Sequence, residues 1–327
     1  MTTEKMQVNL SGPDIVDEDI EAVVNVLKSR HLALGPKLRQ FEEDYAKAAG
    51  RKHCVAVNSG TSALHALMMS LGIGPGDEVV TTPFSFVASS NCILMVGAKP
   101  VFVDIELPSY NISVEAVKEH IRTAKKKPKA VLIVDVFGQP SDWTELENLC
   151  KEEGIALVED SCEAIGAKVA GRPAGNFGDA GVFAFYPNKQ LTTGEGGCVV
   201  TDSEDIAAMC RSLRNQGRGE SGTWLQHVRL GYNFRISDIN CALGISQLSR
   251  LDEILEMRAA VAGRYEELLK GVEGVTAPIV ADCVDKMSWF VYVVRLDDRY
   301  SEEDRDRIMV GLRDRGIGCN NYFVPIH

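Results

Sequence analysis

Three short stretches of this chain carry residue types whose chemistry depends on being brought together. Phe183-Ala184-Phe185-Tyr186-Pro187-Asn188-Lys189 runs from an apolar segment into a lysine, followed by the turn Gly194-Glu195-Gly196-Gly197. Desolvation lowers an amine's pKa and activates it as a Schiff-base nucleophile, although taken alone a lysine in this place reads rather as an exposed loop residue. Asp160 ends the apolar run Ile155-Ala156-Leu157-Val158, where open α/β sheets place their ligands; a helix cap or a solvated strand-end acid is the plainer reading. Its neighbour Glu159 points to the opposite face of the strand. Asn58-Ser59-Gly60-Thr61-Ser62 follows one apolar run and precedes a helical period, so it offers a helix N-terminus, a glycine and hydroxyls to a phosphate, or simply caps a helix.

The combination is more specific than its members. A phosphate cradle, a carboxylate at a strand end and a lysine beside glycines are the parts required to hold pyridoxal phosphate. The carboxylate would keep the pyridine nitrogen protonated and the ring an electron sink. The lysine would bind the cofactor and later move a proton.

The surrounding pattern supplies elements to position these residues. Short β-branched runs at His53–Val57, Glu78–Thr82, Pro100–Ile105, Ala130–Phe137, Ile155–Glu159, Gly181–Phe185 and Cys198–Thr201 alternate with helical periods. Leu64, Leu67, Met68 and Leu71 mark one such period, and Trp143, Leu146, Leu149 and Cys150 another. The alternation predicts an α/β sheet covered on both faces. From Ser237 the texture changes to one or two long amphipathic helices reaching Tyr265. Strands at Trp289–Leu296 and Cys319–Val324 flanking a helix over Ser301–Arg315 then predict a small α+β unit. The expected division is a large domain over 1–245, with an N-terminal arm over about 1–35, and a smaller one over 246–327. No cap or polar tail follows the apolar Pro325-Ile326-His327, so the natural domain is expected to continue.

Composition narrows the class. With 327 residues, 45% apolar and 25% charged, the chain matches globular usage rather than a disordered or fibrous one. Its longest apolar runs fall well short of the roughly 18 residues of a membrane span, and Met1-Thr2-Thr3-Glu4-Lys5 is no signal-peptide core. A net charge of −11 argues against nucleic-acid binding, and Lys125-Lys126-Lys127 reads as a solvated loop. Nine cysteines without a C-x-x-C pair read as reduced, mostly buried thiols, with no metal site expected. The expected location is the cytoplasm.

The wording of several segments is similar to a known family. Asn58 to Leu64, Gly76-Asp77-Glu78-Val79, Glu159-Asp160, Asn188-Lys189 to Gly197, Gly231-Tyr232-Asn233-Phe234-Arg235 and Ser237-Asp238-Ile239-Asn240 resemble the DegT/StrS-type nucleotide-sugar aminotransferases, perosamine-synthase-like members above all. The resemblance implies a pyridoxal-phosphate-dependent transferase of fold type I, with a mostly parallel mixed sheet covered by helices and a smaller C-terminal α+β domain. It implies a homodimer with shared active sites. Lys189 would be the Schiff-base lysine, Asp160 the pyridinium partner, Gly60 and Thr61 the phosphate holders and Phe86 the ring stacked on the cofactor. Asn233 would reach the phosphate from the neighbouring subunit, and Arg235 would bind the anionic substrate or make an interface ion pair.

Two positions depart from the family pattern. Ala184 stands where serine is common as a phosphate donor, and Glu163 where glutamine or histidine faces the cofactor's phenolic oxygen. The implied reaction moves an amino group from an amino acid, L-glutamate, through pyridoxamine phosphate to a nucleotide-linked keto sugar. A 4-keto-6-deoxyhexose of surface polysaccharide or lipopolysaccharide synthesis is the expected acceptor. The alternatives are a noncatalytic sensor that binds the cofactor and, within the fold, a sugar dehydratase, which has histidine where this chain has Lys189.

Overall fold

The computed structural model describes residues 7–219 and 226–327. Helices α1 (Asp17–Ser29) and α2 (Pro36–Ala48) lead into an alternation that follows the expected pattern. It runs β1 (His53–Val57), α3 (Gly60–Ser70), β2 (Glu78–Thr81), α4 (Ala88–Met95), β3 (Lys99–Phe102), α5 (Val114–Thr123), β4 (Ala130–Val134), α6 (Trp143–Glu153) and β5 (Ala156–Asp160). A small hairpin, β6 (Lys168–Val169) and β7 (Arg172–Pro173), precedes β8 (Ala180–Ala184), β9 (Gly197–Thr201) and α7 (Glu204–Arg214).

The seven-stranded sheet has the order β1-β9-β8-β5-β4-β2-β3. The run from β8 to β3 is parallel, and β9 lies antiparallel to both of its neighbours. Alternation along each strand sorts the core into two layers. Ala130, Leu132 and Val134 of β4, with Val158 of β5, pack with Leu64 and Leu67 of α3 and Ile93 of α4. Val131 and Ile133, with Leu157, pack on the other face against Trp143 and Leu146 of α6. Burying each such side chain contributes about 1.5–3 kcal/mol, so a one-residue slip of register would cost both layers at once. Beyond β8 a third cluster joins Phe41 and Tyr45 of α2 to Phe183 and Phe185 through edge-on ring contacts.

Two expected strands end early. The run expected to reach Phe137 stops at Val134, because the Asp135 carboxylate turns to accept from the Ser141 amide and Trp143 Nε1, both at 2.9 Å. A 3-10 turn follows over Val136–Gly138, with Phe137 at φ 61°. The run expected to reach Ile105 stops at Phe102.

The amphipathic stretch after Ser237 forms two helices, α8 (Asp238–Ser249) and α9 (Leu251–Leu269). Strands β10 (Val275–Thr276), β11 (Val284–Lys286) and β12 (Arg295–Leu296) are short, and α10 (Glu302–Asp314) follows, capped by Ser301. The strand expected over Trp289–Leu296 is therefore corrected to the β12 pair. At its start the Phe290 amide is turned away from a ladder to donate to Phe137 O, as the preceding Ser288 amide does to Gly138 O. The strand expected over Cys319–Val324 is also absent. Instead, Tyr322 and Phe323 pack on Phe137, and Phe323 also packs on Phe84. Among the described residues no helix is long and apolar enough to cross a membrane.

Candidate active site

The alternation that buries Val158 and Leu157 on opposite faces does the same for the two acids after them. Asp160 points toward the layer of α3 and α4, where Ser89 Oγ donates to Oδ2 at 2.8 Å and the Cys162 amide to Oδ1 at 3.3 Å. Each oxygen of this buried carboxylate thus accepts one bond. Ser89 lies in the first turn of α4 and is itself held by Ser85 Oγ at 2.8 Å.

Helix α3 begins at Gly60, directly after β1, with Ser59 as N-cap accepting from the Ser62 amide. The expected cap and the expected cradle therefore coexist at one helix end. A Cβ on Gly60 would lie 2.7 Å from the Ala184 Cβ and 3.1 Å from Cys162 Sγ, so only glycine fits between the helix end and β8. Thr61 is half-buried. The Ala184 methyl group faces this same helix end, as the hydroxyl of a serine there would.

Lys189 lies in the loop that follows β8, with its side chain 12% exposed. Its Nζ is 3.7 Å from Glu163 Oε1 and 3.9 Å from the centre of the Phe290 ring. Glu163 Oε2 accepts from the Phe137 amide at 2.8 Å, which the left-handed backbone of that turn presents. Burial pushes the Glu163 carboxyl above its ordinary value, against the opposing pull of Lys189. The Cys162 thiol is pushed up as well, by burial first and then by Asp160. Gln190 Nε2 binds the Glu163 carbonyl at 2.6 Å and Ser288 Oγ at 2.7 Å, joining the lysine loop to the segment after β11.

Residues 13–327 match the DegT/DnrJ/EryC1/StrS aminotransferase family. The chain belongs to that family. It is 36% identical over 327 residues to the spore coat polysaccharide biosynthesis protein SpsC of Bacillus subtilis (strain 168), covering 97% of this chain and 83% of that one. It is 39% identical over 293 residues to GDP-perosamine synthase of Vibrio cholerae, covering 90% of this chain and 78% of the relative. A Streptococcus pneumoniae protein named as a sugar aminotransferase, in its PLP-form, shares the fold with a TM-score of 0.91 at 27% identity, covering 98% of this chain and 86% of the other.

Within this DegT/DnrJ/EryC1/StrS aminotransferase, Lys189, Glu163, Asp160 and Gly60 come together at the carboxyl ends of the strands. Phe86 stands 62% exposed, three residues before the Ser89 that holds Asp160. Asn233 is exposed, and its carbonyl accepts from Asn58 Nδ2 of the same chain at 3.4 Å. Arg235 is half-buried and donates to Asn215 Oδ1 at 3.2 Å.

The residue reading did not find Ser89, the Phe137 amide, Gln190 or Phe290. Phe137 lay inside an expected strand and Phe290 was 101 positions from Lys189, so neither carried a local signal. Ser89 lies between two expected strands, in a stretch that no motif singled out.

Proposed function

We propose that this chain is a pyridoxal-5'-phosphate-dependent transaminase that moves an amino group from an amino acid, L-glutamate, to the keto carbon of a nucleotide-linked sugar. A 4-keto-6-deoxyhexose destined for surface polysaccharide, lipopolysaccharide included, is the proposed acceptor, and the cytoplasm the proposed location. The family and the PLP-form neighbour support the cofactor, and the relatives named for polysaccharide and perosamine synthesis support the sugar. The observation that carries the reading is the Lys189 amine, nearly buried between the Glu163 carboxyl and the Phe290 ring.

The residues present fit the cofactor. The α3 N-terminus is kept open by Gly60, where a side chain would collide with Ala184. Buried Asn58 Oδ1 and Asn188 Oδ1, flanking the cradle and the lysine, have no hydrogen-bond partner among the described residues. Lys189 would hold the cofactor covalently, Asp160 its ring nitrogen, Gly60 and Thr61 its phosphate and Phe86 its ring face. When bound, the cofactor supplies an electron sink for the bonds at the donor's alpha carbon.

The chain's own work is to place protons. Lys189 Nζ, displaced by the incoming amine, would take the proton from the donor's alpha carbon and, in the second half-reaction, would deliver one to the sugar carbon that receives the amino group. Glu163, its charged form disfavoured by burial, stands within ion-pair reach of Lys189 Nζ at 3.7 Å. Ser89 keeps the Asp160 carboxylate aimed at the cleft. Two copies would share the sites, Asn233 reaching the partner's phosphate and Arg235 the anionic substrate.

The test is an absorbance spectrum of the purified protein with and without glutamate. A band at roughly 410–430 nm that glutamate bleaches, and that Lys189→Ala lacks, is expected. Protein that takes up no pyridoxal phosphate would overturn the reading. A glutamate-responsive band without turnover of any keto sugar would favour a sensor.

A further inference from the structure

Arg258, on α9, stands where the lysine loop meets residues 288–290. Its Nη1 donates to the carbonyls of Trp289 at 3.0 Å and Phe290 at 3.1 Å, and its Nη2 donates to the carbonyl of Lys189 at 3.3 Å. All three acceptors are backbone oxygens, and burial is the one influence that moves the pKa of the guanidinium, with no carboxylate contributing. Half-burying an arginine with no counter-ion among the described residues is costly, so the position calls for a compensating role.

The acceptors suggest what that role is. They belong to two segments about a hundred positions apart that share one feature, the Nζ of Lys189. One segment carries the lysine, and the other carries the ring on which its Nζ rests at 3.9 Å. Trp289 holds a φ of 51°, a conformation that bulky residues adopt only when their surroundings impose it. Here the guanidinium on its carbonyl and the bond from Phe290 N to Phe137 O impose it. Gly138 lets the strap come this close, since a Cβ there would lie 2.8 Å from Phe290 N. A planar fork with fixed donor directions suits the task, and a lysine ammonium does not.

We propose that Arg258 is a positioning residue for Lys189, its guanidinium holding the lysine backbone and the Phe290 ring in one frame so that Nζ stays between that ring and Glu163. The inference rests on the aminotransferase reading and adds a residue to it. The amine must return to one point in both half-reactions, and a displacement of about 1 Å at such a point costs on the order of 100-fold in rate. Among neighbouring titratable groups, the Cys162 thiol feels the charge of Lys189, and Glu163 feels that of Asp160 and acts in turn on Tyr322.

The test compares Arg258→Lys, which keeps the charge but cannot span three carbonyls, with Phe290→Leu and with the double variant. Three quantities are read: the pH midpoint of the visible band of cofactor-loaded protein, the single-turnover rate with glutamate, and amide exchange of the peptide around Phe290 in cofactor-free protein. Each single variant should move the midpoint from its wild-type value, because the nitrogen is no longer held at one point against the Phe290 ring. Each should slow the single turnover about 10- to 100-fold. Arg258→Lys should also quicken exchange at Phe290, and the double variant should add little to either single one. An Arg258→Lys protein with wild-type midpoint, rate and exchange would overturn the proposal, as would fully additive effects. Should Arg258→Lys fail to fold, Arg258→Gln is read in the same way. Failure of the wild-type protein to show a glutamate-sensitive band would instead count against the aminotransferase reading.

Discussion

Glu159 and Asp160 are adjacent acids at the end of one strand, and the regions behind and before that strand treat them differently. Glu159 is fully buried and accepts from the Gly175 amide at 2.6 Å and from the Phe177 amide, with Arg51 Nη2 at 3.8 Å. Burial pushes its carboxyl well above the ordinary range. Asp160, on the other face, is held from one side by Ser89 and Cys162 and shares its cleft with Lys189 and Glu163. A carboxylate enclosed by its own chain ties the architecture together, whereas one with a single bond to each oxygen has capacity left for a ligand.

The sharpest way to break this contrast is Lys189→Ala. If the cleft is the reaction centre, turnover falls by at least about 10,000-fold with little change in melting temperature, as steady-state assay and thermal unfolding would show. Asp160→Asn should follow with a loss of roughly 100- to 1,000-fold, because the neutral amide no longer favours a protonated ring nitrogen. Glu159→Gln, one position away, should leave the rate per folded site unchanged and lower stability by about 1–3 kcal/mol in denaturant unfolding, since an amide group would confront backbone donors. Equal kinetic losses in the two variants would erase the distinction.

Smaller effects sharpen it. Gly60→Ala should weaken cofactor binding about tenfold or more in equilibrium titration, because the new methyl meets Ala184. Behind the strand, burial lifts the Asp135 carboxyl to about 7 against three hydrogen-bond donors. Its raised folded-state value means that the protonated group stabilises the fold below pH of about 4, and that this contribution is lost as pH rises through about 7. Melting temperature should therefore fall by a few degrees across that window, and Asp135→Asn should flatten the slope.

Much of the site was legible before the fold was known. Lys189, Asp160 and Gly60 each belong to a local pattern, a strand end or a turn beside glycine, that period-2 alternation and helix capping make readable, whereas Glu163 stood out only against the family pattern. The opposite facing of Glu159 and Asp160 followed from the strand period alone. The region after Pro278 was read less well. Trp289 to Val294 is apolar at every position, so it has no alternation to assign a face, and the Phe290 amide bonds to a turn rather than a ladder.

By itself, the order of residues determined the α/β alternation, the strands of the large sheet and the identity of the lysine, the carboxylate and the glycine, because these depend on interactions between near neighbours. The tertiary structure alone decided that Ser89 would hold Asp160, that the Phe137 amide would reach Glu163, and that Arg258 and Phe290 would frame Lys189. Those pairings join segments 26 to 101 positions apart. Nothing local encodes them. They arise because burying both faces of one sheet leaves a single arrangement in which these groups can meet.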